Sequence, residues 1–191
     1  MKKILIGLSI ILLSACSLGD MNTPKQIVSE FLDKYKNQDS SILTQLDETI
    51  NNEYTNDDYR SRYKTLMTNQ YKNLEYKLSD AVVEGNNAVV EAQVTVYDYA
   101  SAIRNSSDYL NSNPDEFKKD ADVNDHADTN GGLIADYDED KFIDYKLTQM
   151  ENTSNTVTHT IEFTLTKVDG KWQLDSLSNS DIEKIHGIYV S

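Results

Sequence analysis

Apolar residues recur along this chain in two periods, and the change from one to the other falls near residue 74. Before it the spacing is helical. Ile27, Val28, Phe31, Leu32 and Tyr35 form one stripe, with Thr23 placed to cap a helix and Pro24 at its first position. A second helix is expected from Ser41 to Ile50, burying Ile42, Leu43, Leu46 and Ile50. A third opens at "TNDD", where Thr55 and Asp58 stand at a capping spacing, and carries Tyr59, Tyr63, Leu66 and Met67 inward.

From Leu74 the pattern alternates. "LEYKL" puts Leu74, Tyr76 and Leu78 on one face of a strand that continues towards Val83, and "EGNN" turns the chain. The return strand, Ala88 to Tyr99, turns Val90, Ala92, Val94 and Val96 one way and Glu91, Gln93, Thr95 and Tyr97 the other. Later, Val157, Ile161, Phe163 and Leu165 alternate with threonines and Glu162, the pattern of a half-buried antiparallel strand. Asp169-Gly170 is a favoured two-residue hairpin turn, and it sets Leu165 opposite Leu174 and Lys167 opposite Trp172. Trp172 is expected to plug the sheet. A short last helix brings Ile182 and Ile185 together one turn apart. The stretch of about 100–155 between the hairpins holds two helical segments, "SAIRNSSDYL" and "DEDKFIDYKLTQM", joined by an acidic segment. The elements describe one α+β domain over 24–191, with N-terminal helices on an antiparallel sheet and a helical, acidic insertion before the final hairpin.

The first residues change the picture of where such a domain works. "MKKILIGLSIILLSACSLGD" has two lysines, a short apolar run from Ile4 to Leu13, and small residues ending at a cysteine. The run is too short for a permanent bilayer span and fits a secretory signal of residues 1–15. "LSAC" resembles the bacterial lipobox, which implies cleavage between Ala15 and Cys16 and a diacylglyceryl thioether on Cys16, with 16–23 as lipidated cysteine and linker. The expected protein is tethered to the extracytoplasmic face of the cell membrane, stably so with two or more acyl chains. Cys16 is the chain's one cysteine, so lipidation leaves none for disulfides or thiolate chemistry.

Charge narrows the partners. The chain has 18 Lys and Arg against 32 Asp and Glu, a net charge of -14. Removing the signal takes away Lys2 and Lys3 and leaves -16. Charge therefore disfavours nucleic acid and anionic lipid surfaces. Cationic ligands, divalent ions or simple solubility near an anionic envelope are the alternatives.

The helix "TPKQIVSEFLDKYKNQD", the order of elements after it, and the hairpin "FTLTKVDGKWQLDSL" resemble the nuclear transport factor 2-like superfamily. That resemblance implies a cone, a bent sheet wrapped around the first helix and often leaving a pocket. "YDYASAI", "NPDEF", "KFIDYKLTQM" and "KVDGKWQLDSLSNSDIEKIHGIY" resemble small lipoproteins of low-GC Gram-positive bacteria, which implies fold and location without an activity. The superfamily hosts isomerases, dehydratases, scaffolds and binding modules alike.

The candidate chemistry is sparse. "DVNDHADTNGG" invites comparison with a calcium loop. With Gly131 as the sixth position, Asn130 stands at five and Asp128 at three, but His126 occupies position one and Tyr137 position twelve, where oxygen ligands are needed. Asp122, Asp125, Asp136 and Asp138 offer substitutes in another geometry, so Asp125, Asp128 and Asn130 are weak metal candidates beside a solvated insertion. His126, His159 and His186 form no pair at zinc-ligand spacing, and His159 and His186 fit a packed strand position and a helix end. No G-x-S-x-G elbow is present. "VYDY" offers Tyr97, Asp98 and Tyr99 for acid-base work of the kind the resemblance implies, or else as an exposed strand end. The 12 tyrosines suit core packing better than a binding rim. The expectation is a lipid-anchored, non-enzymatic binding or scaffolding module without cofactor, whose partner is an envelope protein or glycan. The alternatives are a small-molecule enzyme using the cone, of isomerase or dehydratase type, and a divalent-cation-dependent binder using the acidic loop.

Overall fold

The computed structural model describes residues 22–119 and 137–190. The first helix, α1 (Pro24–Lys36), starts on a full capping box: Thr23 accepts from the Gln26 amide, and the Gln26 side chain accepts from the Thr23 amide. Such a cap stabilises a helix by about 1 kcal/mol. Asp39 accepts from Ser41 N and starts α2 (Ser40–Glu53). The third helix, α3 (Asp57–Asn73), is capped by Asn56, which accepts from Asp58 N at 2.8 Å, and not by Thr55 as the spacing suggests. Either residue is a competent cap, and the register of Tyr63, Leu66 and Met67 against the core decides between them. Leu43 is only half-buried.

The chain then forms β1 (Glu75–Leu78), β2 (Val82–Glu84) and β3 (Asn87–Tyr97). The single strand expected up to Val83 is broken. Leu78 pairs with Ala92 and Val82 with Val89, so three residues face two across the gap, a β-bulge. Ser79 holds it: its amide donates to Glu91 O at 2.9 Å and its hydroxyl accepts from Glu91 N at 3.0 Å. Strand β3 ends at Tyr97, two residues before the expected Tyr99, because Asp98 caps α4 (Tyr99–Ser112). A 3-10 turn (Pro114–Phe117) follows, then α5 (Glu139–Glu151), β4 (Thr156–Val168), β5 (Lys171–Leu174) and α6 (Asn179–His186). At the last hairpin Asp169 (φ 50°) and Gly170 (φ 79°) both adopt the left-handed region, as a type I′ turn requires, and the pairs Leu165 with Leu174 and Lys167 with Trp172 are as expected.

The described strands form one antiparallel sheet in the order β1-β3-β4-β5, with β2 also on β3, curled into a half-barrel. Its concave face carries Val90, Ala92, Val94, Ile161, Phe163 and Leu165, all nearly inaccessible. Helix α1 lies in the concavity, burying Val28, Leu32 and Tyr35, with Phe31 edge-on to Phe163. Helix α3 packs beside it through Tyr71, edge-on to Tyr35. Trp172 is a half-buried margin residue under Lys167, not a plug; α1 occupies the place expected for it.

The insertion packs as two helices. Tyr109 of α4 stacks on Tyr145 of α5, and Phe117 stands edge-on to both Phe142 and Tyr145. Arg62 ties α5 to α3 through Asp144, Thr148 and Glu151.

Candidate functional site

Among the described residues, chemistry could sit inside the curled sheet or at the margin where the final hairpin opens. The inside is lined by nearly inaccessible side chains. Its polar groups serve the fold. The Gln70 side chain donates to Tyr97 O at 3.2 Å and accepts from Tyr97 N at 2.8 Å, completing the ladder where β3 stops. His186, 3% exposed, pairs its Nε2 with the Tyr71 hydroxyl at 3.2 Å. Burial lowers the His186 pKa to about 4, so the ring is neutral at ordinary pH. Gln70, Ser106 and His186 are the buried polar side chains among the described residues, and no carboxylate is buried with them.

"VYDY" resolves into structural roles. Asp98 accepts from Ser101 N at 3.0 Å and from Ser101 Oγ at 2.7 Å as the cap of α4. Tyr97 stacks on Tyr99, whose hydroxyl donates to Leu66 O, and burial pushes the Tyr99 phenol up to about 12. The Asp98 carboxylate and the Tyr99 hydroxyl are thus engaged in holding the fold.

Asp122, Asp125, Asp128, Asn130 and Asp136 lie outside the described residues, as do His126, Ala15 and Cys16. Tyr137 bridges antiparallel to Lys118, and Asp138 caps α5 by accepting from Lys141 N. Among the described residues no group of three His, Cys, Asp or Glu side chains could hold a metal ion. His159 and His186 are far apart in role: His159 is half-buried at the sheet margin, edge-on to Tyr189.

The margin is different. Asp175 still donates its amide to Thr164 O at 3.0 Å, but beyond it the chain leaves β4 and turns into α6. The parting opens a groove of about 470 Å³ between the outward side chains Thr160, Glu162 and Thr164 and the segment Asp175–Ser178 with Asp181 and Lys184. Leu177 supplies its half-buried apolar patch. Lys184 reaches Asp181 at 2.8 Å and lies over the Tyr189 ring. Burial works against the Asp181 carboxylate, yet Lys184 and Ser178 hold it below its usual range.

This groove escaped the sequence reading. Alternating threonines mark the outer face of β4, but which strand edge stays uncovered depends on where β5 stops, a tertiary fact. The turn after "WQLD", with Ser176, Ser178 and Asn179 in place of further alternation, is the one local sign of it.

No protein-family model matches the chain, and no curated protein matches it. Among solved structures it is similar to a "putative lipoprotein (ycdA)" from Bacillus subtilis, at 14% identity and a TM-score of 0.46, over 85% of this chain and 55% of that one. The chain thus spans about half the length of that structure, and a likeness this distant carries no argument about chemistry. No helix among the described residues is long and apolar enough to cross a membrane.

Proposed function

We propose that this chain is a lipid-anchored, extracytoplasmic module of the nuclear transport factor 2-like cone type that binds or scaffolds and does not catalyse. The observation that carries the proposal is the filling of the cone. Val28, Leu32 and Tyr35 of α1, Leu66, Met67 and Tyr71 of α3, and Ile161 and Phe163 of β4 occupy the space where a cone enzyme keeps its substrate, and each is nearly inaccessible. The side chains best suited to acid-base work, Asp98 and Tyr99, are engaged as a helix cap and a core hydrogen bond. Cys16, in a lipobox-like setting after a short apolar run, is the proposed point of attachment.

Two measurements test the two halves of the proposal. Cells grown with labelled palmitate should label the wild-type chain and carry it in the membrane fraction, and Cys16→Ala should lose both. Incubating the full chain, in detergent, with a metabolite extract and following the extract by mass spectrometry should show no compound consumed. Consumption that disappears in Asp98→Asn or Tyr99→Phe would overturn the non-enzymatic half.

A further inference from the structure

The hydrogen bonds around β4 reveal which way its backbone groups point. In an antiparallel strand the N–H and C=O of one residue point to the same side, and the side alternates with each residue. Lys167 N donates to Asn86 O at 2.7 Å, and Asn155 O accepts from Asp98 N at 2.9 Å, so the odd-numbered residues of this stretch turn their backbone groups towards β3. Thr164 O accepts from Asp175 N, so the even-numbered residues turn theirs the other way. Strand β5 covers that side only from Leu165 to Val168. The amides and carbonyls of Thr158, Thr160 and Glu162, with the Thr164 amide, therefore face away from β3 and have no backbone partner on that side among the described residues, and Thr160, Glu162 and Thr164 line the groove.

We infer that this uncovered edge of β4 is a peptide-binding site, which takes an extended, lysine- or arginine-bearing polypeptide segment as an added strand. The inference rests on the binding-module proposal and names its ligand class. The backbone edge supplies sequence-independent pairing, and the groove supplies selection. An added strand would lay alternate side chains beside Thr160 and Glu162 on the outer face and the others towards Leu177. Charge selects the first set: Glu162, Asp175 and Asp181 line the groove against Lys184 alone, Lys184 already pairs with Asp181, and Glu91 lies directly opposite Glu162 in the register. The same charge, on a chain of net -14, opposes a second copy as the occupant.

The probe is a labelled decapeptide alternating lysine and threonine, followed by fluorescence anisotropy with the full chain in detergent at 0.15 M salt. Saturable binding is expected, with at least tenfold weaker binding of the glutamate-threonine counterpart. Thr160→Pro removes an amide that points away from β3 and should leave that ladder intact while lowering affinity at least tenfold; Thr160→Ala, which keeps the amide, should bind within about twofold of wild type. Glu162→Lys should lose at least tenfold. Two peptides N-methylated on alternate residues probe the unaltered protein, whatever becomes of the proline variant. One should bind as the parent does and the other at least tenfold more weakly, since only one set of amides faces β4.

Equal binding by both N-methylated peptides, by the acidic peptide, or by a folded Thr160→Pro variant would overturn the inference. So would a wild-type dimer in sedimentation that Thr160→Pro dissociates, because the occupant would then be a second copy. Failure here with the metabolite extract untouched would remove the peptide site and leave the module standing. A consumed metabolite would remove the module itself.

Discussion

The two faces of β4 share one backbone and answer to different demands. Ile161, Phe163 and Leu165 point into the concavity, each 1% exposed, while Thr160, Glu162 and Thr164, which alternate with them, are open to solvent. Burial of a large apolar side chain stabilises the fold by about 1.5–3 kcal/mol, and an exposed threonine adds almost nothing. The inner face thus holds the sheet on α1, and the outer face is free of that demand. The same division separates the packed concavity from the groove at the sheet's margin.

The largest effect should come from crossing that division by a single residue. Phe163→Ala should cost about 3–5 kcal/mol and Thr164→Ala, next to it, less than about 0.5, both read from urea unfolding. Comparable costs would mean that the two faces are not distinct.

Gly187 tests how tightly the concavity is packed where β3 ends. It ends α6 at φ 71°, and a Cβ there would lie 2.2 Å from both Gln70 Nε2 and Tyr97 O. The carbonyl is backbone and cannot swing away, so Gly187→Ala should lower stability by about 3 kcal/mol, seen as a large drop in melting temperature.

An effect of similar size is expected from acid. Unfolded, an imidazole takes up its proton near pH 6.5; folded His186 does so only near pH 4. Between these values the unfolded chain binds more protons, so the stability from a neutral His186 is complete above about pH 6.5 and falls with pH down to about 4, by roughly 3 kcal/mol in all. His186→Gln should flatten that slope of unfolding free energy against pH; an unchanged slope would assign it to other groups.

The smallest effect belongs to the outer face. Glu91 and Glu162 stand directly opposite each other, and like charges across strands repel. Glu162→Gln should stabilise the fold by on the order of a few tenths of a kcal/mol at low salt and by less at high salt. A loss on the same substitution would show that the carboxylate is held by a partner after all.

Much of the inner face was legible because periodicity and turn chemistry act locally. Asp169-Gly170 alone fixed the register of the last hairpin, and the alternation of Val90 to Val96 fixed which side is buried. The errors arose where two local solutions were nearly equal, as with Thr55 and Asn56, or where a single side chain altered the ladder, as with Ser79 at the bulge and Asp98 at the strand's end. Trp172 was misplaced because its size suggests a plug, whereas α1 reaches the concavity first with Phe31, Leu32 and Tyr35. The groove was illegible for a more general reason: an uncovered edge follows from where the neighbouring strand ends in space. Likewise nothing near Gln70 in sequence announces that its amide will close the ladder of β3.

The pairing of β3 with β4 also governs how this chain comes to be folded. Tyr97 meets Thr156 and Asn87 meets Thr166, partners 59 and 79 residues apart, and these contacts make the centre of the sheet. Closing loops of that length precedes the burial that rewards it, and folds dominated by such distant pairs assemble in milliseconds to seconds, not microseconds. Helices α1 to α3 can gather early, but they have no sheet to wrap until α4 and α5 have brought β4 back. Under the export proposed for this chain, the delay would let it be translocated before its two halves had found each other.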